Sequence, residues 1–122
     1  MEELYYPDTP DAIDGLIATL NAVTVTQGLA FERDVLDVDR PEDWGAVEMT
    51  GVENEYADGV IIDQAYRLDI WASVSDRRGD WLQIIEGVLA SYGHRLEYQL
   101  IERNYMHNLH KVVWRWKALL WG

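Results

Sequence analysis

The stretch Val60-Ile-Ile-Asp63-Gln-Ala-Tyr66-Arg-Leu68-Asp-Ile70-Trp-Ala72-Ser-Val-Ser75-Asp76, followed by Arg77-Arg-Gly-Asp80-Trp-Leu-Gln-Ile-Ile-Glu-Gly-Val-Leu89-Ala-Ser-Tyr92-Gly93, decides the fold. In its first half, Val60, Ile62, Tyr66, Leu68, Ile70 and Ala72 recur at every second residue, with Gln64 the polar member of the series. Asp63, Arg67, Asp69 and Trp71 fall on the opposite face. A period of two over this length predicts a long strand with one buried face. In the second half the period changes. Trp81, Ile84, Ile85, Val88, Leu89 and Tyr92 lie on one helical stripe, which predicts an amphipathic helix. Ser75 or Asp76 is the expected N-cap and Gly93 the expected left-handed terminator. The Arg77-Arg78 pair then falls in the first turn, where positive charge opposes the helix dipole.

Working outward toward the N-terminus, residues 1–8 read as a tail. Thr9-Pro10 is a helix start, and Ile13, Leu16, Ile17 and Leu20 form the stripe of a helix over about 10–22. Val23 to Thr26 and Leu29 to Leu36 have strand composition around Gly28. Residues 37–43 read as a loop and Trp44 to Gly51 as a strand. Val52 to Gly59 reads as an acidic connection closed by the turn pair Asp58-Gly59. Between Glu32 and Asp58 there are ten acids and two bases, so residues 37–59 are expected to form an exposed, mobile acidic loop region. Toward the C-terminus, the alternation in 95–104 and in Val112 to Leu120 predicts a hairpin, with Trp114 and Trp116 in the core and Trp121 on the other face. The expected class is α+β: a mixed or antiparallel sheet with two helices packed on one face, in a single domain spanning 1–122.

Composition narrows the function. The 122 residues contain no Cys, which removes disulfides and thiolate metal sites. No run approaches the ~20 apolar residues of a membrane-spanning helix, and the start Met-Glu-Glu lacks a signal-peptide pattern, so no membrane partner is expected. The net charge of −12 disfavours phosphate-backbone binding. Residues 1–93 carry 20 acids and 5 bases, whereas 94–122 carry 2 acids and 5 bases. Two oppositely charged regions suit head-to-tail contacts between copies.

Motifs for chemistry are weak. His107 and His110, with His94, fall short of a metal ligand set. Asp37, Asp39, Glu42 and Asp43 lack the spacing of a calcium loop. Nucleophile-elbow and phosphate-loop patterns are absent. No enzyme activity, cofactor or metal is expected. The candidate subunit-interface or lumen residues are Asp63, Arg67, Asp69, Trp71, Arg77, Arg78, Arg115, Lys117, Trp121, Glu53, Glu55 and Asp58, with charge reversal at Arg67 or Asp69 expected to harm assembly more than folding.

The order of elements, with the strand Gln64-Ala-Tyr66-Arg-Leu68-Asp-Ile70-Trp71 directly before the helix Asp80-Trp-Leu-Gln-Ile-Ile-Glu-Gly-Val-Leu89, resembles the tail terminator (tail completion) proteins of long-tailed bacteriophages over most of residues 9–122. The resemblance implies a structural virion protein: a homohexameric ring at the head-proximal end of the tail, assembled in the host cytoplasm. Its implied partners are the tail tube protein and the head–tail connector or adaptor, and DNA passes through without specific binding. A neck adaptor or tube protein is the nearest alternative. An acidic DNA mimic that inhibits a host nuclease is the alternative from another class.

Overall fold

The computed structural model describes residues 8–34 and 40–122. Its elements are α1 (Asp8–Thr24), β1 (Phe31–Arg33), β2 (Trp44–Ala57), β3 (Val60–Ser75), α2 (Trp81–Ala90), β4 (Leu96–Met106) and β5 (Lys111–Trp121). The class is α+β. Five strands form one mixed sheet in the order β1-β2-β3-β5-β4. β1 runs parallel to β2, and the other neighbours are antiparallel.

The sheet has two unlike faces because strand side chains alternate. Tyr66, Leu68, Ile70, Ala72 and Val74 of β3 point to the face that also carries Trp114, Trp116, Ala118 and Leu120 of β5. Both helices pack there: Ile13, Leu16 and Leu20 of α1 and Trp81, Ile85, Val88 and Leu89 of α2 are buried in the same cluster. The Trp116 indole N–H donates to Glu86 Oε2 at 2.9 Å, which ties the centre of β5 to α2. Phe31 reaches the core by crossing Gly45. A Cβ on Gly45 would lie 2.5 Å from the Phe31 ring, so the close approach requires glycine.

Several expected elements differ. α1 runs from Asp8 to Thr24, longer at both ends than 10–22, and Val25–Gln27 continues it as a 3-10 turn. The strand expected at Val23 to Thr26 is therefore absent. Thr24 is fully buried, and packing of the helix outweighs the local preference of a β-branched run. Gly28, at φ 98°, ends the turn. The strand expected from Leu29 to Leu36 shrinks to Phe31–Arg33 within the described residues. Residues 1–7 and 35–39 lie outside them, and with them all of the expected tail but Asp8, which begins α1, and residues 37–39 of the expected loop.

The acidic connection at Val52–Ala57 is instead the distal half of β2, paired residue by residue with β3 up to the turn at Asp58-Gly59. Glu53 lies opposite Ala65 and beside Arg67, whereas Glu55 faces Asp63 directly, a like-charge pair that the ladder carries at the solvent-accessible end of the strands. The second helix starts later than its expected caps. Ser75 ends β3, Asp80 holds the N-cap position, and Arg77 and Arg78 precede the helix. Ser91 takes the C-cap position in a right-handed conformation, while Gly93, at φ 61°, lies just beyond. The expected C-terminal hairpin is β4–β5, turning at 107–110, with Trp114 and Trp116 buried.

Candidate functional site

Three surfaces stand out once the core is removed. The first is the sheet face without helices. It presents Arg67, Asp69, Trp71, Arg115, Lys117 and Trp121, together with Glu53, Glu97 and Glu102. At its centre Arg115 Nη2 donates to Asp69 Oδ2 at 2.7 Å, and Nη1 donates to Glu102 Oε1 at 3.4 Å. The same guanidinium lies over the Trp71 ring, 5.0 Å from its centroid. The Asp69 contact, reinforced by Glu102, raises the Arg115 pKa. Asp69 is only 6% exposed, and its carboxylate anchors Arg115. Arg67 is half exposed and pairs with Glu53 at 3.4 Å. Its guanidinium lies against Gly51, where a Cβ would come within 3.1 Å. A shallow open groove of about 390 Å³, lined by Glu53, Arg67, Glu97, Gln99, Lys117 and Leu119, runs across this face.

At the lower end of the same face, Lys111 is 2% exposed. Its ammonium donates to the carbonyls of Arg40 (3.3 Å) and Glu42, and Asp43 lies 3.9 Å away. Burial pushes the Lys111 pKa down, against the pull of Asp43 and Glu42. The Asp43 carboxylate also accepts from the Ser75 backbone N–H at 3.0 Å. These contacts fasten the chain entering β2 onto the ends of β3 and β5.

The second surface is the ribbon formed by the distal halves of β2 and β3. β5 pairs with β3 only from Ala65 onward. Residues 54–64 therefore form a two-stranded ribbon that projects past the sheet, with Val52 and Glu53 at its base. Tyr56, Val60, Ile61 and Ile62 are 60%, 62%, 47% and 61% exposed. This corrects the expected burial of Val60 and Ile62: the alternation is present, but among the described residues no element covers that part of the strand. The ladder also shifts between Glu55 and Tyr56, where Tyr56 opposes Ile61. Glu55, Asp58 and Asp63 give the ribbon three acids, with Glu53 at its base, and no Lys or Arg occurs between Pro41 and Tyr66.

The third surface lies at the other end of β3. A cleft of about 370 Å³ opens between the segment before α2 and the β4–β5 hairpin, lined by Asp76, Arg78, Gly79, Arg103, Tyr105, Val112 and Trp114. Tyr105 donates its hydroxyl to Asp76 Oδ2, and that contact raises the Tyr105 pKa. Arg78 pairs with Asp80 and stacks over Trp81, 4.4 Å from its ring centroid. Among the described residues Arg77 and Arg103 have no carboxylate within 4 Å.

The candidate residues thus divide. Arg67, Asp69, Trp71, Arg115, Lys117 and Trp121 share the helix-free face. Glu55, Asp58 and Asp63 share the ribbon, and Glu53 stands at its base. Arg77 and Arg78 stand at the far end, beside the cleft. Sequence reasoning missed Ile61 and the cleft residues Arg103 and Tyr105. The run Val60-Ile61-Ile62 carried a signal, because three consecutive apolar residues cannot all face one side of a strand. Two of the histidines flank the cleft, where the His110 carbonyl accepts from the Asp76 N–H at 3.0 Å. His107 packs edge-on against Tyr105 with ring centroids 4.4 Å apart, and His110 ends the hairpin turn.

No known family pattern matches the sequence, and no curated protein matches it. Among solved structures, the chain is similar to a cryo-EM structure of an extracellular contractile injection system, the PVC sheath/tube terminator in its extended state. The identity is 11% and the TM-score 0.41, with 99% of this chain and 57% of that chain covered. The chain thus spans little more than half the length of that protein.

Proposed function

We propose that the chain is a structural, ring-forming subunit of a phage-type tail: a terminator that caps the tail tube and receives the head connector, and that catalyses no reaction. The observation that carries this reading is the projecting ribbon, an apolar and acidic element that the monomer leaves uncovered. Contiguous exposed apolar surface marks an interaction site. The sequence resemblance to tail terminators agrees with it. The helix-free face supports a role beside DNA. Five acids, Glu48, Glu53, Asp69, Glu97 and Glu102, outnumber the four bases Arg67, Lys111, Arg115 and Lys117 there, and a net acidic wall repels phosphate rather than gripping it.

The test is electron microscopy of tails assembled from the chain and its own tube protein. Rings closing one end of tubes of uniform length are expected. Tubes of unchanged length, with the chain left in the supernatant at any concentration, would exclude the reading.

A further inference from the structure

We infer that the β2–β3 ribbon of one copy seats in the Arg103–Trp114 cleft of a second copy, making a head-to-tail contact between identical chains. This deepens the proposed ring by naming the two surfaces that join its subunits, and it rests on that reading.

The ribbon calls for a partner of particular chemistry. An isolated two-stranded ribbon is marginal in water. Of the ten exposed large apolar side chains among the described residues, four (Tyr56, Val60, Ile61 and Ile62) lie within this ribbon and a fifth, Val52, at its base. Its charged groups are acids, and the one ion pair to the rest of the chain among the described residues is at its base, Glu53 with Arg67 at 3.4 Å. The matching surface must be apolar at its floor and basic at its rim.

The cleft answers that description. Trp114 and Val112 supply apolar floor and Tyr105 an aromatic wall. Arg78 and Arg103 line it, and Arg77 stands next in the chain to Arg78. The Trp114 indole N–H is buried and has no acceptor among the described residues. The cleft also holds Asp76, and Arg78 is paired with Asp80, which leaves Arg103 as the free cation of its lining among the described residues; the groove on the helix-free face fits the ribbon less well, because Glu53 and Glu97 fully offset Arg67 and Lys117 there.

Geometry makes the contact intermolecular. The 16 residues of β3 separate the ribbon turn from the cleft, about 50 Å at the rise of a strand. A ribbon cannot bend back onto its own cleft, because the same ladder that forms it holds it straight. Two different surfaces at opposite ends of one subunit give a heterologous contact, which closes into a ring or runs on as a filament.

The absence of Cys makes the test clean. Two variants of the full chain, Asp58→Cys and Arg103→Cys, are mixed and oxidised. Ala18→Cys, on the exposed side of α1, replaces one partner as control. The expected result is a disulfide-linked heterodimer from the mixture at roughly tenfold the control yield, the margin of one specific contact. Yields equal to the control overturn the contact.

A charge swap gives the second arm. Arg103→Glu alone and Glu55→Lys/Asp58→Lys alone are each expected to weaken self-association roughly tenfold, and mixing the two restores it by returning an opposite pair to every junction. Both sets of substituted residues are exposed, so circular dichroism is expected to be unchanged. Failure of the mixture to restore association overturns the contact. Cross-linked open chains without rings would keep the contact and remove the terminator reading. Rings that form without the cross-link would do the reverse.

Discussion

At the residue scale, Asp69 and Arg67 show how burial redistributes roles along one strand face. Both lie on the helix-free side of β3, two residues apart, yet Asp69 is buried against Arg115 while Arg67 is half exposed. Asp69→Asn is expected to destabilise the monomer by about 2 kcal/mol, below the usual cost of breaking a fully buried pair because Arg115 remains partly solvated. Arg67→Glu is expected to change folding by less than about 0.5 kcal/mol, as an exposed substitution does. Urea midpoints on the two variants check both, and equal midpoints would contradict this division. The sequence suggested that reversal at either residue harms assembly more than folding; burial of Asp69 predicts a folding cost there, and for Arg67 the expectation is put to an assembly assay on Arg67→Glu. Gly45→Ala forces a methyl into the Phe31 ring, and overpacking of that kind is expected to cost about 1–3 kcal/mol. Lys111 adds a pH signature. Burial lowers its folded pKa below the ordinary 10.5. Between those two values the unfolded chain holds a proton that the folded chain has released, so stability rises with pH across that window. Thermal scans from neutral pH to pH 10 are expected to show the natural chain gaining on Lys111→Met, and parallel profiles would refute the burial argument.

At the element scale, the ribbon marks the limit of what the sequence discloses. The alternation in β3 is correct from Tyr66 to Val74, where β5 pairs alongside and both helices pack on it. It fails from Val60 to Gln64 for a physical reason. Alternation assigns side chains to two faces but does not say which elements cover either face. Likewise, Asn21 was invisible in the sequence, since its role needs contact across ten positions. Its amide donates to the Phe31 carbonyl and its oxygen accepts from the Phe31 N–H, at 3.0 and 2.7 Å. That satisfies backbone groups of the short strand β1, where an open edge would invite pairing with other chains. Within the ribbon, Asp58 and Gly59 both take positive φ, 53° and 79°, the turn that suits a two-residue hairpin. Gly59→Ala is expected to cost about 1 kcal/mol of turn stability. Because the ribbon lies outside the core, hydrogen exchange is expected to quicken at 55–62 while the global unfolding midpoint stays fixed. A fall in the midpoint would mean that the ribbon folds cooperatively with the sheet.

At the scale of the whole molecule, the charge split that the sequence suggested between residues 1–93 and 94–122 does not survive as a pair of surfaces. Arg115 is held by Asp69 and Glu102, Lys111 is buried under the chain entering β2, and Lys117 and Arg103 point to opposite faces of the sheet. The polarity runs along the strands instead, from the acidic ribbon to the cleft beside Arg103. This arrangement makes opposite demands on salt. The net charge of −12 repels copies from one another, and added salt relieves that repulsion. The ribbon–cleft contact attracts, and salt weakens it as the screening length falls to about 8 Å at physiological ionic strength. Sedimentation velocity from low to moderate NaCl separates the two effects. Association of the natural chain is expected to weaken as salt rises, because the close pairs at the contact dominate. Arg103→Glu removes a central attractive charge, leaves the general repulsion, and is expected to show association that is flat or strengthens with salt. Identical salt slopes for the two chains would place Arg103 outside the contact and leave the ribbon's partner to be sought on another face.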